Sequence, residues 1–230
     1  MSSRAVISIM LILVSLGASA ADWGTLAADS DRTLDPALLS ALRNEDFDTK
    51  VLICAGVGKR ADPYAGDIIA SLMATRAVKT SDTVELLLRT LLQGLFDPSR
   101  GESWISDRIE ANRDVLDSMA GRMAEWRDPQ LAGALVRIIP SLHTPRALPA
   151  LAQAGSRVVR ALERGSGAML PQELALALDF LSAVEKTRRP DFLAQCTDIA
   201  RLSREKFIVD RARAVAQEIA AQNPRSTAAP

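Results

Sequence analysis

The chain has 230 residues, and its 28 Lys and Arg balance 28 Asp and Glu, so its formal net charge is zero. This balance excludes a whole-molecule attraction to nucleic acid or to an anionic membrane surface. One histidine and two distant cysteines exclude the usual zinc-binding sets and a disulfide-rich scaffold.

The first residues have the pattern of a secretory signal peptide, which we assign to residues 1–20. Arg4 gives a positive start, residues 5–16 are apolar, and residues 18–20 match a signal-peptidase site. This apolar run is too short for a stable membrane span, which needs about 20 residues. We expect cleavage between Ala20 and Ala21, a periplasmic or secreted location, and no membrane span after cleavage. The alternative is an uncleaved N-terminal anchor.

Hydrophobic periodicity in the rest of the chain predicts helices and no strands. Residues 81–96 carry apolar side chains every three or four positions, and residues 206–220 have the same spacing. Residues 104–123 do so as well, with a predicted apolar face of Ile105, Ile109, Asn112, Leu116, Met119 and Met123. We predict an all-α fold in a single elongated domain over residues 35–222. We expect flanking residues 21–34 to be flexible and 223–230 to form a disordered tail.

Proline and glycine mark the predicted helix boundaries. Asp or Thr caps the free backbone N–H groups of a first turn, and Pro suits the position after the cap. Such pairs occur at residues 35–36, 62–63, 97–98, 128–129 and 144–145. Further helix starts are predicted at Pro171 and Pro190, and helix ends at Gly58, Gly94 and Gly165. The short connections between them predict antiparallel neighbours.

The single histidine and the two cysteines are predicted to be structural. His143 lies in the joint between helical segments 128–142 and 144–155, where we expect a turn residue and no catalytic base. Cys54 and Cys196 each lie within an apolar helical run, so we expect two buried free thiols. In an elongated fold their Cα atoms would exceed the separation of about 7 Å that a disulfide allows.

One segment of the sequence is repeated. Residues 46–72 align without a gap on residues 128–154, at an offset of 82, so that Asp46 falls on Asp128. Two units of about 40 residues account for this offset, and that is the length of paired-helix repeats. One helix pair buries its apolar face only against neighbouring pairs, so such repeats stack into an array.

These two segments, together with residues 192–220, resemble HEAT repeats, including the short bilin-lyase-like variety. The resemblance implies an α-solenoid of antiparallel helix pairs. HEAT repeats carry a basic residue early in the second helix, a position that Lys50 and Arg211 fill. The middle copy departs from the pattern, because it has Ala132 and Gly133 there.

No motif indicates chemistry. Residues 55–59 are too short for a phosphate-binding loop, and residues 29–35 and 44–48 do not continue as calcium loops. We therefore predict no catalytic residue, no cofactor and no metal. The abundant carboxylates leave a paired-carboxylate enzyme open.

We expect an exported, non-enzymatic binding or scaffold protein that has a protein or peptide partner and no nucleic-acid partner. The alternatives are an enzyme or enzyme subunit of the bilin-lyase-like repeat type, and a self-associating structural envelope protein. The resemblance implies that helices 47–58, 129–141 and 206–221 line a concave surface. We predict that a basic strip there binds an acidic or extended peptide through Arg137, Arg211, Arg213 and Gln217. The alternative is a solvated helix face with ordinary ion pairs.

Overall fold

A computed structural model describes residues 46–60, 65–78 and 82–222, and this part of the chain contains ten α-helices and no strand. The helices are α1 (Phe47–Arg60), α2 (Ala65–Val78), α3 (Asp82–Leu95), α4 (Glu102–Ala111), α5 (Arg113–Gly121), α6 (Pro129–Leu142), α7 (Ala147–Arg164), α8 (Pro171–Thr187), α9 (Leu193–Leu202) and α10 (Lys206–Gln222). Single 3-10 turns occupy Pro98–Arg100, Met123–Glu125 and Pro190–Phe192. The predicted all-α class is confirmed. The predictions for the signal peptide, for residues 21–34 and for residues 223–230 lie outside the described residues.

The helices contact one another in two series. In the first series, α1, α3, α6, α8 and α10 each contact the next helix in that order. In the second series, α2, α5, α7 and α9 do the same. Further contacts join the series, for example α2 with α3, α5 with α6, α7 with α8 and α9 with α10. Helix α6 is the most enclosed, since every side chain from Leu131 to Val136 is buried.

The sequence repeat reappears in the helix boundaries. Helix α1 and the start of α2 lie 82 residues before α6 and the start of α7. In both units the first helix packs most extensively against the third, so α1–α3 and α6–α8 have the same pattern of contacts. The offset of 82 residues does not extend to the third helix of each unit, because α3 begins at Asp82 and α8 begins at Pro171.

The predicted helix starts are partly confirmed. The Asp128 side chain accepts a hydrogen bond from the Gln130 N–H at 2.8 Å and caps α6, and Pro171 begins α8. The prediction for Thr144 is wrong. Residues 144–146 instead form a turn that the Ala147 N–H closes on the Thr144 carbonyl at 3.2 Å, so α7 begins at Ala147. The chain enters this turn from His143, an exposed left-handed residue (φ 49°) that ends α6, as its predicted turn role requires.

The predicted single helix over residues 104–123 is interrupted at Asn112. The Asn112 side chain donates a hydrogen bond to the Arg108 carbonyl at 2.8 Å, and α4 ends and α5 begins at this residue. An asparagine amide competes in this way with the backbone hydrogen bonds of a helix. The predicted apolar face persists across the break, because Ile109, Leu116 and Met119 are buried.

Gly58 and Gly94 were predicted to mark helix ends, and α1 and α3 do end at Arg60 and Leu95; both glycines lie in the last turns of these helices, where the two helices pack closely on each other. A Cβ on Gly58 would lie 2.5 Å from the Leu91 carbonyl oxygen, and one on Gly94 would lie 2.8 Å from the Gly58 carbonyl carbon. The two glycines therefore permit the close approach of α1 to α3. Gly165 does end α7, as predicted.

Candidate functional site

The four residues predicted to bind a partner do not form one basic strip. Arg137 lies on α6, and its Nη1 is 4.0 Å from Oδ1 of Asp179 on α8. Burial raises the pKa of Asp179, and the nearby Arg137 guanidinium partly offsets that effect. Helix α8 thus places a carboxylate beside the first of the predicted arginines.

Arg211 is also paired with a carboxylate of α8. It donates a hydrogen bond to Glu185 and is only half exposed. A second pair joins Arg188, which directly follows α8, to Glu218 of α10 at 3.4 Å. Because the residue numbers increase together in both pairs, α8 and α10 run side by side in the same direction. The surface expected to be basic therefore carries alternating charges.

An exposed apolar pair lies on the same two helices, on the N-terminal side of these ion pairs. Leu178 is 38% exposed and precedes Glu185 by two helical turns, and Phe207 is 47% exposed and precedes Arg211 by one turn. The contact between Glu185 and Arg211 sets a common level on the two adjacent helices. At a rise of 1.5 Å per residue, Leu178 and Phe207 then differ by about 4–5 Å in their positions along the helix axes. We call Leu178 and Phe207 the apolar patch.

Exposed large apolar side chains concentrate on the first series of helices. Among the described residues there are five of them, namely Phe47, Leu52, Leu170, Leu178 and Phe207. Four lie on α1, α8 or α10, and Leu170 immediately precedes α8. Single exposed apolar side chains are normal on a protein surface, whereas neighbouring ones can mark an interaction surface, so the pair on adjacent helices α8 and α10 is the candidate.

Arg213 and Gln217 face away from the ion pairs of Arg211. They line a groove of about 520 Å³ together with Thr197, Ala200, Arg201 and Ala216. We call this the α9–α10 groove. A second groove of about 460 Å³ lies on the other side of α9, where residues of α7 such as Ser156 and Arg160 meet Gln195 and Asp198. The structure thus brings together only two of the four predicted residues.

The remaining candidates for chemistry are structural. Cys54 and Cys196 are free and fully buried, and burial raises the pKa of each thiol to about 12. The Trp104 ring contacts the guanidinium groups of Arg100 and Arg108, which are 5.1 and 4.8 Å from its centroid. Within the described ranges, no three His, Cys, Asp or Glu side chains come together to hold a metal ion.

None of the helices in the described part of the chain combines the length and apolarity needed to cross a bilayer. No family model matches the chain, and neither the curated proteins nor the solved structures give a match. Its function must therefore be inferred from the geometry of its own surface.

Sequence reasoning missed the apolar patch and the contribution of α8. Phe207 falls outside the stripe of Ile208, Ala212, Val215 and Ile219 that was predicted to be buried and is buried. Its position outside this stripe could have been used to predict from the sequence that Phe207 is exposed. The pairing of α8 carboxylates with Arg137 and Arg211 had no such signal, because it depends on which helices become neighbours.

Proposed function

We propose that this is an exported, non-enzymatic binding or scaffold protein, built as a HEAT-like helical array that binds another protein through its first series of helices. The observation that carries the proposal is the apolar patch on α8 and α10, with the ion pair Arg211–Glu185 on its C-terminal side and the pair Arg188–Glu218 further along in the same direction. A central apolar contact with a charged rim is the common anatomy of protein interfaces.

The array itself is supported by the two series of contacts and by the repeated helix boundaries. Stacked helix pairs in a HEAT-like solenoid give extended surfaces on which one helix from each repeat is presented side by side. The first series has this order, and it contains α1, α6 and α10, the three helices that the resemblance assigns to the binding surface. The proposed array accounts for a surface whose side chains come from helices far apart in sequence.

Site-specific photo-crosslinking tests this function. The purified mature chain, with a photoreactive phenylalanine analogue in place of Phe207, is irradiated in envelope extract, and captured proteins are identified by mass spectrometry. We expect one dominant partner. The matched control carries the same analogue in place of Ala111, an exposed residue of α4, and should not capture that partner.

The captured partner then defines a quantitative test. Leu178→Glu and Phe207→Glu should each weaken its binding at least about 30-fold, since buried aromatic and aliphatic anchors often contribute 2 kcal/mol or more. Arg113→Glu on α5 should leave the affinity unchanged. Equal capture from positions 207 and 111, or capture of a second copy of this chain alone, contradicts the proposed binding role. The latter result supports self-association.

A further inference from the structure

The α9–α10 groove contains an arginine whose charge is not neutralised within the described structure. Arg211 pairs with Glu185, whereas Arg213, two residues further on, faces the groove and has no ion-pair partner among the described residues. Arg201 on the facing helix pairs with Asp198 at 2.8 Å, yet its side chain remains 67% exposed. Two guanidinium groups therefore line this groove, and the carboxylate that pairs with one of them, Asp198, lines the groove on the other side of α9.

The charge distribution along the chain favours an acidic ligand at this end. Residues 129–222 contain 13 Lys and Arg against nine Asp and Glu, whereas residues 46–128 contain 11 against 14. The near-zero charge of the whole chain thus conceals a basic C-terminal half. A local excess of positive charge attracts acidic partners and suppresses basic ones.

The lining of the groove fits an extended backbone. Its small side chains, Thr197, Ala200 and Ala216, leave room for a main chain to approach the two helices. Gln217 lies one turn after Arg213 and offers an amide donor and acceptor to a peptide group. A single arginine can bind a carboxylate with two parallel hydrogen bonds, a geometry that a lysine cannot reproduce, and a second arginine adds further charge.

The groove on the other side of α9 extends the surface. Arg160 of α7 is exposed there, and α7, α9 and α10 are neighbours in that order. Packed helices are about 8–10 Å apart, so a ligand that crosses from α7 to α10 spans up to about 20 Å. At about 3.3 Å per extended residue, this distance corresponds to about six residues.

We propose that the α9–α10 groove binds an acidic, extended peptide segment of another protein. One carboxylate contacts Arg213 and Arg201, Gln217 binds the peptide backbone, and a second carboxylate about five residues away contacts Arg160. The site depends on the proposed binding function for its biological role. The residues of the groove are separate from the apolar patch. An experiment can therefore refute peptide binding in the groove without refuting partner binding at the patch, and the reverse.

Fluorescence anisotropy with synthetic peptides tests the site. The probe is a fluorescein-labelled six-residue peptide of Ala and Ser with Glu at both ends and blocked termini, and its match has Gln at both ends. The purified mature chain should bind the Glu peptide at least about tenfold more tightly than the Gln peptide. Arg213→Gln and Arg201→Gln should each remove most of that preference. Arg113→Gln, a matched change of an exposed arginine on α5, should preserve it.

Several results would overturn the proposal. Equal affinity for the Glu and Gln peptides shows that the carboxylates are not recognised. Unchanged binding by Arg213→Gln, with circular dichroism identical to that of the wild type, places the peptide elsewhere. Displacement by succinate at the concentration of the peptide itself indicates a site for free carboxylates. Self-association in sedimentation velocity that Arg213→Gln abolishes assigns the groove to a second copy. In each case crosslinking at position 207 still decides the proposed function.

Discussion

Asp179 shows how a single carboxyl can be unfavourable in the fold that contains it. It lies on α8 beside Gly133, where a Cβ would come within 2.6 Å of its Oδ2, and it faces Arg137 at 4.0 Å. Burial raises its pKa, which means that the folded protein binds the proton more tightly than the unfolded chain does. The contribution of Asp179 to stability is therefore full below the unfolded pKa near 3.8 and is lost as pH rises through the folded pKa.

We predict that Asp179→Asn is more stable than the wild type at pH 7, by up to about 1 kcal/mol because the side chain is partly solvated. The advantage should disappear at pH 3.5, where the wild-type carboxyl is largely protonated in both states. Urea unfolding at the two pH values measures the difference. Asp191→Asn, which removes an exposed partner of Arg189, should change stability by less than about 0.5 kcal/mol at either pH. A less stable Asp179→Asn at pH 7 would show that the ion pair with Arg137 outweighs burial.

At the scale of elements, the contact between α1 and α3 depends on the absence of two side chains. Gly58→Ala would place a Cβ 2.5 Å from the Leu91 carbonyl oxygen and 3.1 Å from the Gly94 Cα. The two helices must then separate, and we expect a loss of about 1–3 kcal/mol. Gly56 lies on the same helix, but a Cβ there meets no atom within 4 Å. Gly56→Ala should therefore stabilise the protein by up to about 1 kcal/mol, because alanine is the better helix former.

Chemical denaturation of the two alanine variants against the wild type measures both effects. Opposite signs are expected, although the substitutions are identical and two residues apart. The same sign for both would mean that α1 does not approach α3 at Gly58.

The elements also show which features a sequence can reveal. The cap at Asp128, the start of α8 at Pro171 and the buried stripe of α10 depend on neighbouring residues, and all were predictable. The role of Gly58 and the carboxylate partners of Arg137 and Arg211 depend on contacts between distant helices. Local patterns do not specify these contacts. Both helices that carry the expected binding residues, α6 and α10, were therefore placed correctly, while Arg137 and Arg211 of the expected basic strip are paired with carboxylates of α8.

At the scale of the whole molecule, the N-terminal sequence makes a prediction independent of the described helices. Signal peptidase should cut between Ala20 and Ala21, which leaves 210 residues. Intact-mass measurement and N-terminal peptide mapping of the protein from envelope fractions should place its first residue at Ala21 or within two residues of it. A chain that retains Met1 in those fractions would contradict export with cleavage.

Residues 126–128, which connect the α1–α3 unit to the α6–α8 unit, affect how the chain unfolds. The carboxylate of Glu85, which is 3% exposed, accepts hydrogen bonds from the N–H groups of Arg127 and Asp128 at 2.8 and 2.7 Å. From the other side, Arg157 of α7 donates to the carbonyls of Trp126 and Arg127. Separation of α1–α3 from α6–α8 would break the hydrogen bonds to Glu85 and leave the N–H groups of Arg127 and Asp128 without these protein partners, while Arg157 still holds this segment to α7. Strong coupling between neighbouring units favours all-or-none melting. Half-melted molecules are then scarce, and proteases have few of the exposed segments that they need for cleavage.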